Sequence, residues 1–356
     1  MIICLVEGRK HLGKNKSGIT LGDLLSSATL KAMKRGAIMV FPKSGVEVFP
    51  LVPFIVAFIV SFFTSMGGVS GAFLLLPFQI SILGFTSPAV SPTNLVYNIV
   101  AIPSGVYRYI REGRMAWPLA WVIIAGTLPG VFIGAVFRIK YLPDPKNFKF
   151  FVGFVLLYIA IRLLYDLTGK GGPKKEKTRE LEKKFKERSN QIRLGQRPGL
   201  ERKESVRTVR FSFTNYTYEF YGETFSFNTI ILFALTFIVG IIGGTYGIGG
   251  GAIIAPFLMA IFGLPVYTIA GAALLGTFLT SIAGVVFYTL IAPLYADTGL
   301  AIAPDWMLGA LFGAGGFLGM YCGARLQKHF PARAIKLILG IAILFLSLKY
   351  IINFWI

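Results

Sequence analysis

Two runs of this chain carry polar side chains but no charge. From Val48 to Tyr107, and again from Asn228 to Ala296, there is no Asp, Glu, Lys, Arg or His. The runs hold hydroxyls and amides instead: Ser70, Thr93, Asn94 and Asn98 in the first, and Thr245, Thr277, Thr280 and Ser281 in the second. Asn94 and Asn98 are four apart and share one helix face; Thr277, Thr280 and Ser281 form a similar face. Glycines collect beside them: Gly68 and Gly71 in "GVSG", and Gly247, Gly249, Gly250 and Gly251 in "GGTYGIGGGAIIAP". The chemistry open to such a set is the holding of an anion by neutral donors. A helix that begins at a break presents unpaired N–H groups and roughly +0.5 of an elementary charge, which is a ready anion site. The candidate binding residues are therefore Gly68, Ser70, Gly71, Asn94, Asn98, Thr245, Gly249, Gly250, Gly251, Thr277, Thr280 and Ser281.

Each candidate also has a plainer role. Gly249 to Gly251 permit close helix packing, as small residues do in membranes. The asparagines serve as interhelical glue, and Ser and Thr hydroxyls bond their own helix backbone. Arg108 and Arg325 border the two runs and read as interfacial residues. Covalent chemistry is poorly served. "GVSG" fits the GxSG pattern of intramembrane serine proteases, but such a serine needs a general base. The only histidines are His11, in a basic arm, and His329, in a polar loop. No Lys-Ser/Thr pair follows Gly247–Gly251, so it is no phosphate-binding loop. Cys4 and Cys322 are far apart, and neither lies in a CxxC motif. No enzyme activity, cofactor or metal is expected.

The elements that position these residues must cross a membrane. The chain is 54% hydrophobic with mean hydropathy +0.68. Apolar stretches recur at about 51–65, 69–84, 89–107, 117–137, 150–165, 228–243, 252–263, 267–294, 304–324 and 334–355. Several approach the ~20 residues that span a bilayer as a helix. A soluble core has no room for so many uncharged segments. The expected fold is an all-α polytopic, multi-pass protein of the cell membrane.

The stretches fall into two similar sets. With residues 68–109 laid on 247–288 at a constant offset of 179, Gly68, Gly71, Pro77, Phe78, Ile82, Gly84, Leu95, Gly105, Val106 and Tyr109 all meet their own kind. "GVFIGA" at 130–135 resembles "GMYCGA" at 319–324 after a ten-residue insertion. Two homologous repeats of about five apolar segments each follow, over 48–166 and 228–356. Five crossings per half would make them inverted. Repeats in transporters place the substrate site where the halves meet, and Gly-interrupted segments at matching positions point to it. Broken backbone at membrane depth is tolerated where it is buried in protein or lines a cavity.

Net charge is +20, gathered in a basic arm at 1–47, in short loops and between the halves. That pattern reads as cytoplasmic loops rather than nucleic-acid binding. The insertion at 167–227 holds a charged, exposed helix at "TRELEKKFKERSNQIRL", residues 178–194, and a β-hairpin at "VRFSFTNYTYEFYGETFSF". It serves as a solvated cytoplasmic linker or as a regulatory or oligomer-contacting cap. The inverted arrangement puts the basic arm outside, together with a loop bearing Arg138, Lys140, Lys146 and Lys149, which the charge rule disfavours.

"GIGGGAIIAP" at 247–256, "AGAALLGTFLTSIAG" at 270–284 and the degenerate "GGVSGAFLLLP" at 67–77 resemble the TauE/SafE sulfite exporter family. The resemblance covers 50–165 and 228–356. The first copy departs from the family's glycine triplet, with "VSG" where the second has "GGG". The resemblance implies a secondary, ion-gradient-driven transporter of sulfite, organosulfonates or related sulfur-containing anions, with protons as a possible co-substrate and the lipid bilayer as its setting. A passive anion channel on the same scaffold is the alternative. No Asp or Glu lies inside either charge-free run to relay protons.

Overall fold

The computed structural model describes residues 38–67, 70–111, 115–167, 206–212, 214–220, 223–262, 264, 266–326 and 332–355. Residues 40–356 form one compact unit; of the other, residues 1–39, only the last two are described. The expected charged helix at 178–194 lies outside the described residues, as do His11, His329 and Gly68.

Helices dominate, and local sequence sets their ends. A short two-stranded sheet, β1 (Met39–Phe41) and β2 (Val46–Val48), precedes α1 (Leu51–Gly67). After the first break come α2 (Ala72–Ser81), α3 (Val90–Ala101) and α4 (Pro103–Arg111). Pro103 divides α3 from α4, because it has no N–H to continue the ladder and restricts the residue before it. Then follow α5 (Trp117–Lys140) and α6 (Pro145–Leu167). At the start of α6, the Asp144 carboxylate accepts from Lys146 N–H at 2.7 Å and Asn147 N–H at 3.1 Å.

The second half runs α7 (Thr229–Tyr246), α8 (Gly251–Phe257), a π-turn at Leu258–Phe262, α9 (Val266–Ile291), a 3-10 turn at Ala292–Thr298, α10 (Trp306–Leu326) and α11 (Ala332–Trp355). Asn228 caps α7 by accepting from Ile230 N–H at 2.9 Å and Ile231 N–H at 3.1 Å. Gly247, at φ +84°, ends it: the N–H groups of Gly247 and Ile248 both return to Gly243 O. Asp305 accepts from Leu308 N–H to start α10, and Ser44 ties the β1–β2 turn to the same carboxylate at 2.9 Å.

Six helices among the described residues are long and apolar enough to cross a membrane; α1 and α2 are shorter apolar helices. The protein is a multi-pass membrane protein. Its main helix pairings are α5 with α7, α1 with α10, α9 with α5, α3 with α10, α6 with α11 and α3 with α9. Each keeps a counterpart when the first-half helices are exchanged for those of the second. Adding 179 to the bounds of α1 gives 230 and 246, the body of α7.

Glycine makes the two tightest pairings possible. A side chain at Gly126, Gly130 or Gly134 of α5 would run into Phe233 O, Phe237 O or Ile241 O of α7. One at Gly315, Gly319 or Gly323 of α10 would run into Phe54 O, Phe58 O or Phe62 O of α1. The spacing of four keeps each triplet on one face, so backbones approach directly.

The insertion holds the expected hairpin and adds a strand to it: a three-stranded antiparallel sheet forms from β3 (Arg207–Phe211), β4 (Asn215–Phe220) and β5 (Glu223–Asn228). The alternating run is long enough for three strands. Asn215 faces Asn228 and Phe220 faces Glu223, which folds β5 back along all of β4. Buried Tyr216, Tyr218 and Phe227 hold its inner face, and Phe227 packs on Phe262 with ring centroids 5.5 Å apart. Thr229 N–H donates to Thr214 O at 3.0 Å, so the sheet joins the first turn of α7 directly.

Candidate functional site

Both helix breaks come to one place, and Asn94 joins them. Its Nδ2 donates to Ala72 O at 3.0 Å, in the first turn of α2, and to Gly247 O at 2.9 Å, in the second break. Its Oδ1 accepts from Gln79 Nε2 at 3.2 Å. One turn later on α3, Asn98 repeats the device: Nδ2 donates to Ile248 O at 2.9 Å and to Ser281 Oγ at 3.3 Å, while Oδ1 accepts from Ser70 Oγ at 3.4 Å. Asn94, Asn98, Thr277, Thr280 and Ser281 have no exposure, and Ser70 and Thr245 almost none. The spacing of four on α3 therefore places both amides on a single row of carbonyls in the second break. Buried carbonyls need partners, and here a side chain from the other half supplies them.

The glycines follow the same logic. Gly249, at φ +75°, has a backbone that L side chains rarely adopt, and a Cβ there would lie 3.0 Å from Ser281 Oγ. At Gly250 a Cβ would lie 2.5 Å from Thr127 Cβ, and at Gly251 it would collide with Ala273 O and Thr277. At Gly71 the obstacle is the Tyr97 hydroxyl, 2.6 Å away. The second break is thus wedged between α5 and α9, and the first lies under α3.

The candidate hydroxyls divide by what holds their protons. Thr277 donates to Ala273 O at 2.8 Å and Thr280 to Gly276 O at 2.6 Å, both on their own helix. Thr245 donates to Ile241 O at 2.8 Å and, across helices, to Gly134 O at 3.1 Å. Ser70 accepts from Ala72 N–H at 3.3 Å and donates to Asn98. Ser281 accepts from Asn98, and among the described residues its own proton has no acceptor.

Several buried participants carry no local sequence signal. Ser91 donates toward Thr245 O and Tyr246 O at 3.3 and 3.4 Å. Tyr246 donates to Phe73 O at 2.7 Å, binding the end of α7 to α2. Tyr97 and Ser61 share a hydrogen bond at 2.7 Å. Gln79 Oε1 is buried without a partner among the described residues. Arg138, expected in a loop, instead occupies the last turn of α5 with no exposure. Lys140, Lys146 and Lys149 are not in the loop either: Lys140 ends α5, and Lys146 and Lys149 lie in α6. The Arg138 side chain turns back into the bundle, where its guanidinium lies 3.7 Å over the Phe148 ring.

The arrangement can order an unpaired stretch of backbone inside a bundle and set neutral donors along it. Among the described residues, no acid, base or nucleophile pair stands at the breaks. A comparison with protein families matches the sulfite exporter TauE/SafE family over residues 53–350. A probable membrane transporter protein, YunE of Bacillus subtilis (strain 168), is 25% identical over 175 residues, covering 49% of this chain and 51% of that protein. The chain thus spans about half the length of that curated relative. No solved structure matches.

Proposed function

The chain belongs to the TauE/SafE sulfite exporter family, and on that premise we propose that it is a secondary transporter of a small sulfur-containing anion, sulfite or an organosulfonate, across the cell membrane. The observation that carries the reading is the Asn94 bridge between Ala72 O and Gly247 O. It holds two helix breaks together in a region with no charge of its own. The anion is received there by N–H groups of the breaks and by Ser281, Ser70 and the asparagine amides once the bridge opens. As described, the side-chain donors are engaged, all but that of Ser281. This fits one end state of an alternating cycle.

In this reading residues 48–166 and 228–356 are two inverted repeats, with the site on the axis between them. The exchange of helix pairings between halves and the offset of 179 support it. The arm at 1–47 and the insertion at 167–227 stand outside the transport core. The reaction is movement of an anion, not its chemical conversion.

Sulfite flux into proteoliposomes of purified full-length protein tests the proposal. Saturable uptake accelerated by sulfite on the opposite side is expected of a carrier. Uptake that rises linearly with concentration and ignores sulfite inside would show a pore. No protein-dependent sulfite or organosulfonate flux in either direction would end the reading. A lumenal pH indicator in the same vesicles reports proton movement; flux indifferent to a pH gradient removes proton coupling.

A further inference from the structure

Arg138 and Asp305 are the charged side chains among the described residues that the fold buries. Asp305 is fully used by Ser44 and the start of α10. Arg138 is not. Its Nη1 donates to Leu142 O and its plane lies on Phe148, but Nε and Nη2 are buried with no acceptor. No carboxylate pairs with it among the described residues. A guanidinium presents a rigid fork of donors suited to oxyanions, and a cation buried without a counter-ion in a membrane protein is a functional-site hypothesis by default.

Its position gives that default a direction. Gly134, whose carbonyl accepts the Thr245 hydroxyl at 3.1 Å, is one helical turn earlier on the same face of α5. A turn is about 5.4 Å. Ser91, which donates toward Thr245 O, and Arg138 both lie within electrostatic reach of the Tyr288 hydroxyl. Tyr288 packs in the same cluster as Ala135 and Ile139, the residues around Arg138 on α5. Its hydroxyl closes no hydrogen bond of normal geometry with either neighbour. Nε–H, Nη2–H and the Tyr288 hydroxyl are thus three buried donors without an acceptor among the described residues, at the end of the helix that holds Thr245 one turn before Arg138.

We propose that Arg138 and Tyr288 form an anion subsite on the route to the helix breaks, which takes a free sulfite- or sulfonate-like oxyanion on the open edge of the guanidinium. The identity of the anion rests on the transport reading above; the subsite itself rests on the orphaned donors. Arg138 has no exposure, so it presents no face to lipid; the proposed occupant is a free ion that enters as the bundle opens.

Thermal unfolding of the full-length protein in neutral detergent and gluconate buffer, titrated with sodium sulfite, tests it. The wild-type midpoint should rise saturably with sulfite. Arg138→Gln should raise the apparent Kd at least ten-fold, Arg138→Lys less, and Tyr288→Phe about three-fold. An Arg138 that only closes the end of α5 would lower the midpoint in Arg138→Gln and leave the sulfite response intact, which overturns the proposal. A wild type that responds to neither sulfite nor sulfate overturns it as well. Should Arg138→Gln fail to fold, an unchanged response in Tyr288→Phe has the same effect. In nanodiscs, a response present with phosphatidylcholine but lost with phosphatidylglycerol would assign the subsite to a headgroup and overturn the free ion. The transport reading fails separately: Arg138-dependent sulfite binding without flux defeats it alone, and saturable flux with unchanged Arg138→Gln binding defeats this one alone.

Discussion

Asn94 Nδ2 lies 2.9 Å from Gly247 O, across 153 positions of sequence. The same nitrogen holds Ala72 O, so one side chain satisfies backbone on both sides of the junction between halves. Both amide protons are engaged, and the oxygen is held by Gln79. The group is therefore a clamp in this state, and it becomes a pair of free donors only if the breaks separate.

Removing the clamp should be costly. Asn94→Ala leaves the buried Gly247 carbonyl and the Gln79 amide unpaired, at about 1–3 kcal/mol for each group, and takes from Ala72 O its second partner. Asn94→Asp keeps the acceptor for Gln79 but sets a carboxylate oxygen against two carbonyl oxygens. Both variants should unfold at lower temperature than wild type in detergent, Asn94→Asp the lower of the two, and neither should carry sulfite. Wild-type flux in Asn94→Asp would remove Asn94 from the working site.

The first break offers a rescue experiment. A Cβ at Gly71 would lie 2.6 Å from the Tyr97 hydroxyl, while the backbone there, at φ −67°, accepts any residue. The nearest obstacle is one oxygen at the end of a ring; the Ser61 and Thr64 hydroxyls stand farther off, at 3.1 and 3.3 Å. Gly71→Ala should lower the unfolding midpoint and the flux, whereas Gly71→Ala with Tyr97→Phe should recover a good part of both. Tyr97→Phe alone gives up its hydrogen bond to Ser61, about 1 kcal/mol. Gly250→Val is the companion. Its Cβ would meet Thr127 Cβ at 2.5 Å, so Thr127→Gly, not Thr127→Ala, should relieve it.

These contacts mark how far the sequence can be read. Charge-free runs and glycine breaks are local signals, and the helices end at Gly67 and Tyr246 where they indicate. The shared face of Asn94 and Asn98 also follows from spacing alone. What the two amides hold does not, because carbonyls on a distant segment leave no trace in composition. Ser91, Tyr97 and Tyr246 stand singly in apolar runs, with nothing nearby to distinguish them from packing residues. Arg138 takes a loop-like signal from its company, since Lys140, Lys146 and Lys149 follow it, although its own side chain turns inward. The third strand of the insertion was hidden because alternation fixes faces but not the number of turns.

Among the hydroxyls of α9, Ser281 should matter most to the anion. The protons of Thr277 and Thr280 go to their own helix at 2.8 and 2.6 Å, and Val preserves their shape. Ser281 keeps its proton while accepting from Asn98. A hydrogen bond to a charged group contributes about 1.5–3 kcal/mol, so Ser281→Ala should weaken apparent sulfite affinity by about ten-fold or more. Thr280→Val should change it less than two-fold. The concentration dependence of initial flux gives both values, and the reverse order would move the site toward the Thr280 face.

The glycine triplets allow the relation between halves to be tested by stability rather than by flux. Gly130 faces Phe237 O of α7, and Gly319 faces Phe58 O of α1, each too close for a methyl group. The obstacle in both cases is backbone, which cannot turn aside as a side chain can. Gly130→Ala and Gly319→Ala should therefore each separate one helix pair and lower stability by about 1–3 kcal/mol, the range for overpacking a tight core. If the halves are equivalent structural copies, the two losses should agree within about 1 kcal/mol and should add in the double variant, because the sites share no partner. Unfolding midpoints of the single and double variants in one detergent give all three quantities. A large loss at Gly130 beside none at Gly319 would mean that only the α5–α7 pairing is tight, and the α1–α10 pairing would then be free to move against it during transport.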